Sequence, residues 1–358
     1  MPFGAVNLEG RCRLACRVRR EWEQTLDVSV ICPVFNTLPD VLAAAIRSVL
    51  SQAGPHEVEL ILVNDCSTDP ATAAALRDAA DGDRRVQVIN QDSNTGPARA
   101  RSVGVARARH NWVSFIDSDD LWPDGKLDQA ATVLGEWPDS RWISGSFATL
   151  LPDRSLRAAQ KLTVKCPPAQ VGRTAQRLQT PESTRALVGS WHPLGTSLFR
   201  RHLIADAGDF DPRLTYGEDW LLSLRISLLT PIDYINAETY VLRRQSASLM
   251  RSPRRLSAKA VEGLLAARRD PALRAVRREL RWLVYGGYKE IAMNNALNGR
   301  KLRGLGFALL ALSIDPREVG ELLMFLRLLP RTGSALAGGF QRYSTAEQLD
   351  LPGNQMLE

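Results

Sequence analysis

The sequence VSVICPVFN, at residues 28–36, gives the first indication of the fold. It is a continuous apolar run that ends at one amide side chain, Asn36. A strand that is covered on both faces of a sheet needs apolar side chains at nearly every position, whereas a half-exposed strand alternates with polar ones. The run therefore predicts a central strand of a parallel sheet, with Asn36 just beyond its carboxyl end.

Three similar runs follow, and segments with helical spacing separate them. Further strands are predicted at 58–64, 86–90 and 112–116, and helices at 39–52, about 70–80 and from Pro97 onward. Pro39 and Pro97 suit the first turn of a helix, where the missing N–H costs nothing. Four strand–helix alternations predict a Rossmann-like, mostly parallel α/β sheet with helices on both faces.

Polar side chains follow each predicted strand. In sheets of this type, ligands bind beyond the carboxyl ends of the strands. We therefore expect one cleft to collect the polar groups at those ends, which are Asn36, Asn64 with Asp65, Asn94, and Asp117 with Asp119.

The strongest chemical signal is FIDSDD at residues 115–120. Carboxylates as close as Asp117 and Asp119 repel each other unless a cation lies between them. Mg²⁺ and Mn²⁺ take oxygen ligands and leave positions for phosphate oxygens, which is what a departing diphosphate requires. The alternative is a cluster of acidic residues at a helix N-terminus, where such residues are also favoured.

Two shorter segments add candidate binding residues. In VNDCSTD, at 63–69, the Asp65 carboxylate can accept a hydrogen bond from a pyrimidine imide or a ribose hydroxyl, while Ser67–Asp69 fit a turn and helix N-cap. In NTGPARARSVG, at 94–104, Gly96 allows a tight backbone, and Arg99 or Arg101 can pair with phosphate or brace an aspartate. A solvated arginine on a helix face is the alternative for Arg99.

These segments, in this order, resemble the inverting family-2 glycosyltransferases, whose catalytic domain has the GT-A fold. The block GTSLFRRHLIADAGDFDPRLTYGEDWLLSLRI at 195–226 resembles the acceptor side of that family, so the resemblance covers about residues 28–250. It implies Mn²⁺ or Mg²⁺ as cofactor, with Asp119 and Asp117 as metal ligands. It also implies these nucleotide-sugar-binding residues: Pro33, Phe35, Asn36, Asp65, Arg101, Asp117, Asp119, Arg243 and Arg244.

On the acceptor side, the resemblance implies that Asp219 is the catalytic base, and the adjacent Glu218 is a second catalytic candidate. Inversion independently requires a carboxylate on the face opposite the leaving diphosphate. Trp220 is expected to narrow the acceptor pocket, and His192 either lines that pocket or is a structural histidine.

Two positions depart from the family pattern. Ser102 stands where asparagine is usual, and Gln245 stands where a histidine often lies, which puts a third metal ligand in doubt. Arg243 and Arg244 are still suited to the diphosphate, because guanidinium groups bind phosphate oxygens well.

The domain organisation predicted is a basic leader (1–26), a GT-A domain (27–250, with a donor half at 27–125 and an acceptor half at 126–250), a basic helical region (251–345) and a tail (346–358). The chain carries a net charge of +7. Residues 251–358 hold 18 Lys+Arg against 10 Asp+Glu, or +8, so the excess lies there. This asymmetry suits either contact with an anionic membrane surface or simply solvated helix faces.

The cysteines and the apolar segments of the sequence indicate where in the cell the protein is expected. The five scattered cysteines form no CxxC pair, which is typical of reduced, intracellular thiols. The sequence shows no secretory signal and no apolar run of about 18–20 residues. A cytoplasmic protein, peripheral on the inner face of the plasma membrane, is expected, and no nucleic-acid partner is expected.

The predicted function is inverting transfer of a sugar from a nucleoside-diphosphate sugar, UDP-linked by preference, to a saccharide or lipid-linked saccharide in surface polysaccharide or glycoconjugate synthesis. A non-catalytic nucleotide-sugar-binding scaffold, partner to another transferase, is the alternative. Nucleotidyl transfer would normally need a Gly-rich, Lys/Arg-containing loop after the first strand, which PVFNTLPD at 33–40 lacks.

Overall fold

The computed structural model describes residues 25–52, 55–158, 168–188, 192–214, 216–244, 253–297 and 300–315. The chain divides into two compact units, Met1–Ser248 and Leu249–Glu358. In its described part, the first unit is a sheet of ten strands with helices packed on it, and the second unit is helical.

The first half of the sheet is parallel, as the alternation predicts. Its elements are β1 (Val28–Val34), α1 (Pro39–Leu50), β2 (Val58–Asn64), α2 (Pro70–Gly82), β3 (Val86–Asn90), α3 (Pro97–Arg107) and β4 (Trp112–Phe115). The strands lie in the order β3-β2-β1-β4, and each neighbouring pair is parallel. The carboxyl ends of all four strands therefore lie along one edge.

The second half of the sheet is mixed in direction. Its elements are α4 (Lys126–Glu136), β5 (Trp142–Leu150), β6 (Leu156–Ala158), β7 (Gln170–Val171), β8 (Ala175–Leu178), α5 (Glu182–Val188), β9 (Leu198–Arg200), α6 (His202–Asp206), α7 (Glu218–Ser227) and β10 (Ile232–Arg243). The order continues β4-β9-β5-β10-β8-β7, with β6 on β5. The short strand β9 is antiparallel to both β4 and β5, while β10 is parallel to β5.

The core forms where helices cover the apolar strands. Every residue of β2 is buried, as is nearly all of β1. Helix α3 lies unusually close to β1, because Gly104 faces Ile31: a Cβ at Gly104 would be 2.4 Å from Ile31 Cγ2. This close approach fixes α3, and with it the residue one turn earlier, Arg101.

The second unit contains three α-helices within its described part: α8 (Pro253–Arg269), α9 (Arg277–Leu297) and α10 (Lys301–Ile314). A short 3₁₀ turn at Ala272–Val276 joins the first two. Leu273, Val276, Leu280 and Val284 are buried and give the unit an apolar interior. None of the described helices is both long and apolar enough to cross a bilayer.

Some predicted features lie outside the described residues. These are the leader at 1–24, Gln245, residues 316–345 of the basic helical region, and the tail at 346–358.

Candidate active site

The polar residues expected to line a cleft lie at the carboxyl edge of the parallel strands. Asp65 follows β2, Asn36 follows β1 and Asp117 follows β4, and β1 lies between the other two strands. Two inter-strand spacings separate β2 from β4, or roughly 10 Å. Asp65 and the Asp117–Asp119 pair therefore share one edge of the sheet, as a nucleotide site requires.

The loop after β4 is tied to the loop after β1. The hydroxyl oxygens of Ser118 and Thr37 lie 2.6 Å apart. The Asp117 side chain is 48% exposed and so is open to solvent. Burial and the nearby charge of Asp117 raise the pKa of Asp119. The loop thus presents two closely spaced carboxylates, an arrangement that a cation would stabilise.

The third aspartate of the loop, Asp120, anchors it to β10. The Tyr240 hydroxyl donates to Asp120 Oδ2 over 2.7 Å and accepts the Asp117 N–H over 3.2 Å. The Arg243 N–H donates to Asp120 Oδ1 over 2.7 Å. Burial, together with the charges of Asp117 and Asp119, raises the pKa of Asp120. Asp120 therefore holds the loop in place and is not open to the cleft.

Arg101 joins the loop after β4 to the start of α7. Its residue is only 6% exposed. Nη2 donates to Asp117 Oδ1 over 2.7 Å, and Nη1 donates to Glu218 Oε1 over 2.6 Å. Burial lowers the pKa of Arg101, but Asp117, Glu218 and Asp219 outweigh it and leave the pKa above its ordinary value. Of the two roles that the sequence allows, phosphate pairing and bracing of an aspartate, the structure shows the brace.

The predicted base lies at the start of α7. Gly217 has φ +78°, a conformation that favours glycine, and it turns the chain so that Glu218 and Asp219 open the helix. The half-buried Asp219 accepts the Trp220 N–H at Oδ1 over 2.7 Å. Burial, followed by the charge of Glu218, raises the pKa of Asp219 to about 7. A carboxylate with such a pKa is suited to accept a proton near neutral pH.

Asp65 has a different local role from the one expected. Its Oδ1 accepts from Gln91 Nε2 (2.7 Å), Thr95 N (2.8 Å) and Thr95 Oγ1 (3.2 Å), and its Oδ2 accepts from Gly96 N (2.8 Å). Oδ1 thus takes three of these bonds and Oδ2 takes one, which leaves a lone-pair site on Oδ2. Asp65 holds the glycine loop before α3, and direct contact with a nucleotide stays a prediction.

Asn36 is likewise engaged with its surroundings. Its Oδ1 accepts the N–H groups of Thr68 and Asp69 over 2.8 and 3.0 Å, and its Nδ2 donates to Thr68 Oγ1. Asp69 caps α2 by accepting the Ala71 N–H, as the sequence predicts. Asn36 thus fixes the first loop to the turn after β2, and this leaves the neighbouring Phe35 ring 47% exposed.

The remaining predicted residues vary in position. Pro33 is half-buried within β1. The half-buried Arg243 lies near enough to Asp119 and Asp120 for their charges to raise its pKa, although burial lowers it overall, whereas Arg244 is exposed. The indole Nε1 of Trp220 donates to Leu187 O over 2.9 Å.

His192 lies in a buried polar cluster rather than on an open surface. Its Nε2 is 2.8 Å from Ser144 Oγ and 2.9 Å from Thr196 Oγ1. Burial lowers the pKa of His192 to about 4, so the ring is neutral near pH 7. These contacts fit the structural role that the sequence left open, and they do not place His192 at an acceptor pocket.

Sequence reasoning missed two buried residues that support the site, Tyr240 and Lys126. Lys126 is fully buried; its Nζ donates to Gly195 O over 2.6 Å and lies 3.9 Å from the centroid of the Trp122 ring. Burial lowers its pKa well below the ordinary lysine value. The spacing of Tyr240 and Lys126 in the sequence gave no sign that they support the site, although Lys126 stands in the DLWPDGKL segment that the resemblance includes.

The site residues fit a divalent cation in part. Asp117 and Asp119 supply hard oxygen ligands of the kind that Mg²⁺ and Mn²⁺ prefer. Within the described part of the chain, no group of three or more His, Cys, Asp or Glu side chains is placed to hold a metal ion. Other ligands would therefore have to come from phosphate oxygens or water.

Comparison with known proteins finds a family model that matches part of the chain. The model of Glycosyl transferase family 2 matches residues 29–141, which span β1 to α4 and contain the Asp65 loop, Arg101 and the Asp117–Asp119 pair. Residues 29–141 are therefore similar to glycosyltransferase family 2, and Arg101 and the paired aspartates lie within that segment.

Relatives and solved structures agree with this assignment. The succinoglycan biosynthesis protein ExoO of Rhizobium meliloti (strain 1021) is 31% identical over 203 residues, which is 55% of this chain and 54% of ExoO. The glycosyltransferase GlyG of Streptococcus pneumoniae serotype 4 (strain ATCC BAA-334 / TIGR4) is 25% identical over 235 residues, or 63% of this chain and 73% of GlyG. The chain spans about half the length of the first curated relatives it matches.

The fold also has a solved counterpart. Residues 1–349 of S. aureus TarS, crystallised with UDP-GlcNAc, superpose with a TM-score of 0.57 at 20% identity, covering 80% of each chain. At this identity the likeness establishes the fold alone. The first unit thus has the GT-A fold that its motifs predict.

Proposed function

We propose that this protein is an inverting glycosyltransferase that moves a sugar from a nucleoside-diphosphate sugar to a saccharide or lipid-linked saccharide during polysaccharide synthesis. One observation carries the proposal. Arg101 joins the exposed Asp117, in the loop after β4, to Glu218 at the start of α7. The neighbour of Glu218, Asp219, has a pKa near neutrality. A counter-charge for a diphosphate and a base for an acceptor hydroxyl thus belong to one site.

The donor is proposed to be UDP-linked. The TarS structure that shares this fold holds UDP-GlcNAc, and ExoO is named for succinoglycan biosynthesis. In this chain the exposed ring of Phe35 stands at the same strand edge as Asp65 and offers a flat apolar surface to a base. Arg243 lies next to the loop after β4, and its guanidinium group is suited to bind phosphate oxygens.

Asp119 and Asp117 would hold a Mn²⁺ or Mg²⁺ ion. The bound ion supplies positive charge that stabilises the departing diphosphate. The protein's own part is to keep both carboxylates at the cleft. Asp120, Tyr240 and Ser118 do so through the bonds that tie the loop to β10 and to the loop after β1.

Asp219 is proposed to act as the general base. It takes the proton from the acceptor hydroxyl as that oxygen bonds to the anomeric carbon of the sugar. The bond from this carbon to the diphosphate oxygen breaks, and the nucleoside diphosphate leaves with the electron pair. Because the acceptor enters opposite the leaving group, the anomeric configuration inverts.

A non-catalytic scaffold would share the donor half but would not need a base with a near-neutral pKa. The two functions are separated by measuring donor binding and transfer in the same variants. UDP and a panel of UDP-, GDP- and dTDP-sugars would be tested with Mn²⁺ by thermal shift and calorimetry. Sugar transfer to saccharide and lipid-linked acceptors would then be followed with the donor that binds.

Asp219→Asn is expected to bind donor normally and to lose transfer by at least about a hundredfold, since general-base catalysis contributes on that order or more. Asp78→Asn, on the exposed surface of α2, is the matched control and should match the unaltered protein. Near-full turnover by Asp219→Asn would disprove the mechanism, and donor binding without transfer by the unaltered protein to any acceptor would favour the scaffold.

We further propose that the helical unit contacts an anionic membrane surface, which would place the protein at the inner face of the plasma membrane. One face of α10 exposes Leu302 (88%), Leu309 (53%) and Leu310 (45%), and Arg303 lies on the same face. The sequence of α10 contains no acidic residue. Exposed leucines beside arginine suit a surface that combines apolar lipid with negative headgroups.

The membrane contact can be tested by flotation with vesicles of phosphatidylglycerol and phosphatidylcholine. The full chain should float with the anionic vesicles, and added salt should weaken the association. Replacement of Leu302, Leu309 and Leu310 by glutamine should abolish it, whereas the same change at exposed Val171 of β7 should not. Absence of salt-sensitive flotation would disprove this contact and would leave the proposed transfer reaction unaffected.

A further inference from the structure

Three charged side chains form a continuous bridge between the loop after β4, which we call the donor loop, and α7, which we call the base helix. The Arg101 guanidinium lies between Asp117, at the end of β4, and Glu218, at the start of α7. The side chains of Arg101 and Glu218 are 7% and 6% exposed, whereas that of Asp117 is 48% exposed. The bridge is therefore buried at two members and opens to the cleft at the third.

We propose that Glu218 and Arg101 are positioning residues that couple the donor loop to the base helix. Glu218 orients the guanidinium, the guanidinium orients the Asp117 carboxylate, and a change at Glu218 is therefore transmitted to the donor site. This inference rests on the proposed function and adds to it a role for two residues that need not touch either substrate.

The surroundings of Arg101 restrict its movement. Helix α3 is fixed on β1 by the close approach of Gly104 to Ile31. The Arg101 guanidinium carbon lies 5.9 Å from the centroid of the Phe210 ring. A side chain held in this way has little freedom to follow one carboxylate without changing its bond to the other.

A second bond beside the bridge ties α3 to the acceptor side. Ser102 Oγ donates to Asp209 Oδ1 over 3.0 Å, and Asp209 Oδ1 also accepts the Phe210 N–H over 2.7 Å. Ser102 is the position at which this sequence departs from the usual asparagine of the family. The shorter side chain therefore still connects α3 to the segment that precedes α7.

The geometry of the bridge depends on arginine. Two separate nitrogens of one planar group reach two carboxylates on different elements. A lysine has one ammonium nitrogen on a flexible stem and cannot reproduce this planar fork. Arg101 uses Oδ1 of Asp117, so the exposed remainder of that carboxylate can face a ligand in the cleft.

The test is a double-mutant cycle on the affinity for UDP with Mn²⁺, measured by calorimetry on the full chain. Glu218→Gln keeps the shape of the side chain but removes its charge, and it should weaken binding about fivefold to tenfold, a typical coupling between two sites. In an Asp117→Asn background the same change should have little further effect, because the bridge already lacks its donor-side member.

Arg101→Lys is the second variant, and it keeps the positive charge. It should also weaken UDP–Mn²⁺ binding, although lysine retains the Coulomb attraction to both carboxylates. Unchanged affinity in a folded Arg101→Lys protein would overturn the inference even if Glu218→Gln did not fold. Asp78→Asn serves again as the surface control.

The outcomes separate this inference from the proposed function. Equal weakening by Glu218→Gln with and without Asp117→Asn would mean that Glu218 acts by another route, which overturns the bridge. Unchanged affinity in Glu218→Gln, with normal transfer by the unaltered protein, overturns the bridge alone. No binding of UDP or any nucleotide sugar by the unaltered protein would overturn both proposals.

Discussion

Arg101 Nη1 donates to Glu218 Oε1 across 2.6 Å, although 117 positions of the chain separate the two residues. This ion pair joins α3, which lies in the predicted donor half, to α7, which carries the proposed base. Because both side chains are almost fully buried, loss of Arg101 leaves the Glu218 charge uncompensated in the interior. The pair therefore makes the relative placement of the two halves of the site a property of the folded core.

The pKa of Asp219 predicts how transfer depends on pH. Burial and Glu218 raise this pKa to about 7, so Asp219 is protonated and inactive as a base below that pH. We expect kcat/KM to rise with pH through about 7 and then to level off. Measurement between about pH 5 and about pH 9 checks this.

The groups that face Asp219 predict how a variant shifts this profile. Glu218 and Asp117 raise its pKa, Arg101 and the Trp220 N–H lower it, and Tyr216 lies near enough to be affected by its charge. Removal of the Glu218 charge in Glu218→Gln should therefore move the acid limb to lower pH. A kcat/KM that stays constant down to about pH 5 would contradict Asp219 as the base.

The same raised pKa predicts an effect on stability. The folded protein binds the Asp219 proton more tightly than the unfolded chain does, so ionisation costs stability as pH rises from the unfolded value through about 7. Asp219→Asn should therefore raise Tm more at pH 8 than at pH 5, and calorimetric melting at the two pH values measures the difference. Equal shifts at both would show that Asp219 ionises freely in the folded state.

Asp119 should be required for the metal-dependent part of donor binding. Asp119→Ala removes one of the two loop carboxylates, so Mn²⁺ should no longer increase the affinity for UDP. Titration of UDP with and without Mn²⁺, in this variant and in Asp124→Ala a few residues away, tests the expectation. A Mn²⁺ effect that persists in Asp119→Ala would remove Asp119 from the ligand set.

Asp65 should control the order of the glycine loop. Asp65→Asn retains one carbonyl acceptor for the several donors that now bind the carboxylate, and an unsatisfied buried donor costs about 1–3 kcal/mol. The amides of Thr95 and Gly96 should therefore exchange hydrogen faster, which mass spectrometry detects. The control is Asp92→Asn, an exposed position in the same loop, for which we expect no change.

Gly195 should be intolerant of a side chain. A Cβ there would lie 2.2 Å from Tyr240 Cε2, and Tyr240 is the residue that holds the loop after β4. Gly195→Ala should destabilise the protein by about 1–3 kcal/mol, as overpacking does. Gly135→Ala, in α4 with nothing within 4 Å, should instead be neutral or stabilising by about 0.5–1 kcal/mol. Urea denaturation compares them.

Much of the donor half could be predicted from the sequence because local signals agree there. The apolar runs that became β1, β2 and β4 are continuous, prolines open α1 and α3, and polar residues mark the strand ends. The short strand β9 shows a limit, because three residues carry too little periodicity to predict its insertion between β4 and β5.

The sequence predicts which residues belong to the candidate site better than it predicts how those residues bond to one another. Asp117, Asp119 and Asp219 are conspicuous as residue types in context. The pairing of Arg101 with Glu218, however, depends on how two distant segments fold. The hydrogen bonds that the Asp65 carboxylate accepts depend on the backbone of residues 95 and 96. Tyr240 lies 120 positions from the Asp120 carboxylate it binds, so no local pattern reveals the contact.

The insertion of β9 has a consequence for synthesis on the ribosome. Residues 28–115 contain the parallel strands β1 to β4, so their hydrogen bonds can form while later residues are still being translated. Within the described residues, however, the other side of β4 pairs with 198–200, where Trp112 opposes Arg200. Until those residues emerge, the nascent chain presents an unpaired apolar strand, which is the kind of surface that associates wrongly with other chains and that chaperones cover.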